Sequence, residues 1–266
     1  MSFLTDLTLG RYYPTGSPVH GLDPRVKMLG ALALLVTVLA TERPAAYAFL
    51  SLALVTLAVL ARLNARFLLR NLSSLKWLLA VVFVMHGLLT RGTPVLPSLP
   101  WLSVEGILIG AVFAWRVALM VSVATVLTAT TSPVDLGDGI ERLLRPFERL
   151  GLPVHELAMV TVIALRFVPT LLDEAGRIIK AQMGRGVTFE GGLIARARSA
   201  VPILVPLFAS AFRRADDLAL AMDARCYRGA AGRTKFVELT LDGGDAVGFL
   251  VVGLLVACTI AISSLL

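Results

Sequence analysis

Asp173-Glu174-Ala175-Gly176-Arg177-Ile178-Ile179-Lys180-Ala181-Gln182-Met183-Gly184-Arg185-Gly186 places charge in the middle of a very apolar chain. Leu171, Leu172, Ala175, Ile178, Ile179 and Met183 recur at steps of three and four opposite Asp173, Glu174, Arg177 and Lys180, which predicts an amphipathic helix. A second helix of the same kind follows, with Arg213, Arg214, Asp216, Asp217 and Asp223 on one side and Phe208, Phe212, Ala215, Leu218, Ala219 and Met222 on the other. It closes on Ala224-Arg225-Cys226, as the first closes on Gly184-Arg185-Gly186. Between them, Ile194 to Phe208 is apolar but carries Arg196, Arg198, Pro202 and Pro206, a pattern that predicts a kinked crossover rather than a membrane span.

An arginine at a helix C-terminus has an ordinary explanation, since the last carbonyls and the macrodipole favour a cation there by roughly 0.3 to 1 kcal/mol. The repeated small neighbours point further. They leave each guanidinium unshielded at a helix tip, where its planar fork can enter a partner's groove and grip a carboxylate bidentately.

Around this stretch the 266 residues are 57 % hydrophobic and only 16 % charged, with a mean hydropathy of +0.81. That composition excludes an ordinary soluble domain and predicts an all-α, polytopic membrane protein. The net charge of +7 is uneven: residues 1–130 hold 10 Lys and Arg against 4 Asp and Glu, whereas residues 131–266 hold 15 against 14. The isoelectric point near 10 therefore reflects basic membrane loops, and no basic stripe with interleaved aromatics suggests nucleic acid. Cys226 and Cys258 sit in unlike surroundings and imply no disulfide framework.

Asp23 is placed to cap a helix opened by Pro24. Arg25 and Lys27 before the apolar Met28 to Ala40 look like a signal peptide, but without a clear cleavage site the run is read as the first retained span, about Val26 to Ala40. Further spans are predicted at about Ala45 to Ala61, Trp77 to Leu89, Val104 to Thr130 and Ala246 to Leu266, with Arg62, Arg66, Arg70 and Lys76 as a basic connector and Thr93 to Trp101 as a proline-stiffened loop. Basic residues at the N-terminus and in the second loop place the N-terminus in the cytoplasm. Five spans result, with a membrane domain at residues 1–130, a cytoplasmic or interfacial coupling domain at 131–245 and a last span at 246–266. Ser132 to Arg149 is amphipathic and is expected at the membrane surface.

Arg116 inside the fourth span and Arg166 in the apolar helix before the coupling stretch are functional candidates, because a cation in a membrane helix is costly. Their alternative is a structural one, snorkelling or pairing within the bundle. His86, alone among apolar residues, reads as a satisfied packing histidine. Gly232-Arg233-Thr234-Lys235 lacks the leading loop of a phosphate cradle, and Gly184 to Gly192 lacks its Gly-Lys-Ser/Thr end, so the chain has no ATP-binding motif. Its three scattered histidines make no metal or nucleophile constellation.

The chain resembles the transmembrane T component of energy-coupling factor importers along nearly its whole length. The likeness is carried by Tyr13-Pro14-Thr15-Gly16-Ser17-Pro18-Val19-His20 with Leu22-Asp23-Pro24-Arg25-Val26-Lys27. It continues at Thr131-Ser132-Pro133, Gly151-Leu152-Pro153, Ala164-Leu165-Arg166-Phe167-Val168-Pro169-Thr170 and Ala181-Gln182. The resemblance implies that Arg185 and Arg225, with Gly184, Gly186, Ala224 and Cys226, close two coupling helices that dock into two ABC-type ATPase subunits. The family triplet is Ala-Arg-Gly, so the first departs at Gly184 and the second at Cys226, which puts the helix termination after Arg225 in question. It further implies a non-catalytic scaffold in the cell membrane, without cofactor, joining those ATPases to a membrane-embedded S component that captures a vitamin or metal ion. The competing class is a self-sufficient secondary carrier with Arg116 in the solute path. Such a carrier would often show internal repeats and broken spans in matching positions, and the sequence has neither.

Overall fold

A computed structural model describes residues 13, 15–90, 92–93, 103–151, 153–187, 192–229 and 242–265, with side chains 193–198 and 265 excepted. Tyr12, Pro14, Leu152, most of the Thr93 to Trp101 loop, the Gly232 to Lys235 segment and the side chains of Arg196 and Arg198 lie outside the described residues. Nine α-helices and one 3₁₀ segment make up the described secondary structure, which contains no β-strand.

The first half follows its helix signals. Helix α1 runs Pro24–Ala40, and the Asp23 carboxylate accepts from Arg25 N as its cap. α2 is Pro44–Leu60 and α5 is Val104–Thr130, capped by the Ser103 hydroxyl accepting from Gly106 N at 3.0 Å. The basic connector is itself a helix, α3, Ala65–Ser74, capped by Asn64, and it meets α4, Lys76–Leu89, at a bend of 57°. The connector's four basic residues, Arg62 to Lys76, mask the helical period in the sequence. Along α3 the apolar Phe67, Leu68 and Leu72 fall on one side of Arg66 and Arg70, and Asn71 donates to the Thr125 hydroxyl of α5 at 2.7 Å. α9, Gly243–Leu265, is the last.

The second half differs from expectation in continuity. α6, Pro133–Leu144, leads into a 3₁₀ turn, Arg145–Leu150. α7 then runs unbroken over 31 residues, Val154–Gly184, so the apolar segment holding Arg166 and Pro169 and the charged coupling segment are one helix. α8 likewise spans Leu193–Ala224 with both Pro202 and Pro206 inside it. A proline removes one backbone hydrogen bond without stopping a helix whose flanks are held elsewhere.

By length and composition, α5, α7 and α9 are each sufficient to cross a membrane, and the bent α3–α4 pair makes a fourth candidate. α2 is apolar but shorter, at 17 residues or about 25 Å.

The chain divides into two compact units. One comprises the described residues of 13–139 and 242–265; the other comprises those of 140–229. In the first unit α5 is central, packing on α1, α2, α3 and α4, while α9 packs on α1 and α2. Its core is Ala31, Leu34 and Val38 of α1, Tyr47 and Leu50 of α2, and Leu119 and Val123 of α5. In the second unit α7 packs on α8.

The closest approach is between α4 and α5. A Cβ added at Gly106 would lie 2.5 Å from the His86 carbonyl oxygen, and one at Gly110 would lie 2.8 Å from that of Phe83. This small-x-x-x-small pair lets two backbones touch, which in a membrane replaces the missing hydrophobic drive between helices. Gly110→Ala is expected to lower the thermal midpoint of the purified protein, by about 1–3 kcal/mol of overpacking. Gly253→Ala in α9, where a new Cβ would meet nothing within 4 Å, is expected to be neutral or stabilising by up to about 1 kcal/mol. Equal midpoints for the two variants would show that α4 and α5 do not depend on this contact.

Candidate functional site

The two arginine-ended helices finish in the same way. At the end of α7, Arg185 holds φ −90° and ψ 6°, Gly186 turns left-handed at φ 86°, and two bonds close the turn: Gly186 N to Met183 O at 3.0 Å and Val187 N to Gln182 O at 3.1 Å. At the end of α8, Arg225 holds φ −91° and ψ 12°, and Cys226 turns left-handed at φ 56°. Cys226 N donates to Asp223 O at 2.9 Å and Tyr227 N to Met222 O at 3.1 Å. Both ends are Schellman closures with arginine in the capping position. The helix therefore does terminate after Arg225 without glycine, and a cysteine adopts the conformation that glycine would take freely.

Gly184, Arg185, Gly186, Ala224, Arg225 and Cys226 are all exposed. Neither arginine side chain forms a hydrogen bond or ion pair with any described residue. Each guanidinium thus stands at a helix tip between small residues, over the negative end of the helix dipole, with none of its five donors engaged by a described residue.

The sense in which α7 and α8 pair determines where those tips emerge. Gln182, near the C-terminus of α7, reaches Pro202 in the first half of α8, with its amide nitrogen 3.3 Å from the carbonyl oxygen. Glu174, earlier in α7, accepts from Arg214, later in α8, also at 3.3 Å, and from Arg177 at 2.9 Å. The two contacts run in opposite directions along the helices, so the pair is antiparallel. Arg185 lies one turn beyond Gln182, whereas Arg225 lies 23 residues beyond Pro202, about 34 Å along a straight helix. The tips are therefore at opposite ends of the pair.

The other candidates fall elsewhere. Arg166 is exposed on α7, as is Pro169 one turn on, and neither converges with a described polar group. Arg116 belongs to the first unit and is half-buried. Its Nε donates to the Tyr47 hydroxyl at 2.8 Å and a terminal nitrogen donates to Thr41 O at 2.7 Å, while Tyr47 donates to the same carbonyl. The guanidinium carbon also lies 5.0 Å from the Phe113 ring centre. Its partner within the bundle is a carbonyl at the C-terminal end of α1, which gives Arg116 a structural use. His86 is satisfied too, with Nδ1 2.9 Å from Val82 O and its ring stacked 4.6 Å from that of Phe113.

The Tyr13 to Lys27 motif gathers helix ends of the first unit. Tyr13 N donates to Ala129 O at 3.0 Å, Thr15 to Ala61 O at 2.9 Å, and Lys27 Nζ to Thr130 O at 3.2 Å and His20 O at 3.0 Å. The His20 ring lies 2.7 Å from the Ser17 hydroxyl and 2.8 Å from Tyr13 O. Asp23 N donates to the buried Asp245 carboxylate at 2.7 Å, a partner that sequence reading did not single out.

The cobalt transport protein (CbiQ) family profile matches residues 15–236. Among curated relatives, the energy-coupling factor transporter transmembrane protein EcfT of Acidaminococcus fermentans is 48 % identical over 251 residues, covering 93 % of each chain. That of Thermosediminibacter oceani is 41 % identical over 95 % of this chain and 96 % of its own. The Bacillus subtilis protein of the same name is 40 % identical over 91 % of this chain and 92 % of its own.

A left-handed non-glycine residue costs roughly 1–2 kcal/mol. Cys226→Gly is therefore expected to steady the last turn of α8 by about 1 kcal/mol, read as about fivefold slower amide exchange at Tyr227. Gly186→Ala should do the reverse at Val187. Unchanged exchange in both variants would mean that these closures carry no backbone strain.

Proposed function

The chain belongs to the CbiQ family as an EcfT-type transmembrane component of energy-coupling factor transporters, and on that footing we propose that it couples two ABC-type ATPase subunits to a substrate-capturing S component through Arg185 and Arg225. The observation that carries this reading is the pair of matched helix tips. Two arginines share one cap geometry, are engaged by no described residue, and emerge at opposite ends of one antiparallel helix pair, which suits two like grooves on two like subunits.

In this mechanism the chain itself performs no chemistry. Each tip enters a groove of one ATPase subunit and grips a carboxylate through the guanidinium fork. ATP binding and hydrolysis move the grooves, α7 and α8 carry the displacement, and the S component, which recognises a vitamin or metal ion, is tilted or released. The whole assembly lies in the cell membrane; α7 is long and apolar enough to cross it, but both tips reach cytoplasmic ATPases only with the α7–α8 pair lying along the inner surface, which keeps residues 131–245 in or against the cytoplasm. Arg116, on which a self-sufficient carrier would rely, has two of its donors engaged by Tyr47 and Thr41.

Substitution at the tips separates docking from simple capping. If the arginines only capped their helices, lysine would keep the charge and little would change. A bidentate grip loses its fork with lysine, and alanine strands the partner's charge at a cost of roughly 2–5 kcal/mol. Arg185→Ala and Arg225→Ala are each expected to reduce co-purification of ATPase subunits from the host membrane, with lysine variants intermediate and the double alanine variant recovering almost none. Normal recovery in the double variant would return both residues to capping.

Orientation supplies a second check. Single cysteines introduced after Arg11 and after Arg185, in a chain freed of Cys226 and Cys258, are expected to react with an impermeant maleimide only in inverted vesicles. Reaction of either in sealed cells would overturn the cytoplasmic placement.

A further inference from the structure

Helix α8 contains two prolines four residues apart, Pro202 and Pro206. A proline nitrogen carries no hydrogen, so Pro206 cannot supply the bond that the Pro202 carbonyl would receive inside a regular helix. Prolines so placed make a helix easy to bend. The side-chain amide of Gln182 fills the gap from α7, donating to Pro202 O at 3.3 Å.

Gln182 is also part of the Arg185 tip. Its backbone carbonyl accepts from Arg185 N and from Val187 N, both at 3.1 Å, closing the turn on which the guanidinium sits. One residue thus joins the tip of α7 to the proline-interrupted stretch of α8. Two turns back along the same side of α7, Glu174 makes the second link, to Arg214 of α8, and Arg177 on its own helix steadies it. The Glu174–Arg214 pair is partly exposed and by itself weak. It gains from spacing, because two links eight residues apart on α7 stop the helices from rotating about either one.

We infer that Gln182 and Glu174 are positioning residues that clamp α7 to α8, so that a displacement of either arginine tip moves both helices as one body. This rests on the coupling function proposed above, yet the clamp can be read without it. Removal of the Gln182 link frees the Pro202–Pro206 segment to bend. Motion of one tip is then absorbed in α8 instead of reaching the other tip.

The test places nitroxide labels at Lys180→Cys and Ala209→Cys, with Cys226→Gly and Cys258→Ala, in the full chain reconstituted in lipid nanodiscs, and measures their distance by pulsed electron spin resonance. One narrow distance is expected for the parent chain. Gln182→Leu, which keeps the volume and removes the donor, is expected to raise the population of a second distance about fivefold, the ratio that loss of one hydrogen bond carries. Glu174→Arg is expected to do the same to a smaller degree, and pairing it with Arg214→Glu to restore the single distance. A role for Gln182 in packing alone would lower the thermal midpoint and leave the distribution of the folded protein narrow, and that result would overturn the inference. In the complex with its ATPase subunits, the parent distance is expected to stay fixed on addition of Mg–ATP; a shift there would equally overturn it. Should no ATPase subunits co-purify, the coupling function fails, while the nanodisc measurement on the chain alone still decides the clamp.

Discussion

Inside a bilayer a backbone carbonyl without a donor has no water to turn to, and the ends of helices leave several such carbonyls each. Much of this protein's long-range structure is an answer to that constraint. Thr41 O at the end of α1 is met by Arg116 and Tyr47, Ala61 O after α2 by Thr15, and Ala129 O and Thr130 O at the end of α5 by Tyr13 N and Lys27. The same kind of answer recurs outside the spans, where Pro202 O, left open by a proline instead of a helix end, is met by Gln182. Tyr47 apart, each donor comes from a distant part of the chain, so satisfying the carbonyl also fixes which helices are neighbours.

This explains which parts of the fold were legible beforehand. Local signals sufficed for α1 and α5: the Asp23-Pro24 start and the Ser103 cap set boundaries within a residue or two of those expected. They failed where polarity was taken for a boundary. Asp173 begins a charged face, but helix continuity depends on backbone hydrogen bonds, so α7 runs through it from Val154. The same reading takes α3 for a connector and separates Ile194 to Phe208 from the charged helix that it continues into as α8. In each case charge or proline marked a change of surroundings along one helix, not its end.

The tips were legible because the pattern repeats: two small-flanked arginines after two amphipathic runs. Their geometry was only half legible. Glycine after Arg185 announces a left-handed closure, whereas Cys226 announces nothing and adopts it regardless. That the tips lie at opposite ends depends on the pairing sense of α7 and α8, which is set by Gln182–Pro202 and Glu174–Arg214 across 20 and 40 residues of sequence. Arg116 shows the same limit from the other side, since its partners Thr41 and Tyr47 lie 75 and 69 residues away.

Arg116 and the tip arginines place the same side chain under opposite conditions. Arg116 is half-buried with fixed acceptors and serves the fold. Arg185 and Arg225 are exposed over helix C-termini, where water solvates them and the dipole contributes roughly 0.3–1 kcal/mol, so the free chain bears no penalty for holding them ready. In the proposed docking each tip must give up that hydration, which limits the gain from either grip alone. Two tips on one stiff pair change the balance. Once the first is seated, the second meets its groove as an intramolecular event at high effective concentration, provided the spacing between tips is held. In that proposed docking a rigid spacing of tens of ångströms is as much a part of the binding energy as the guanidinium groups, and the clamp inferred for the α7–α8 links, not the arginines, would supply it.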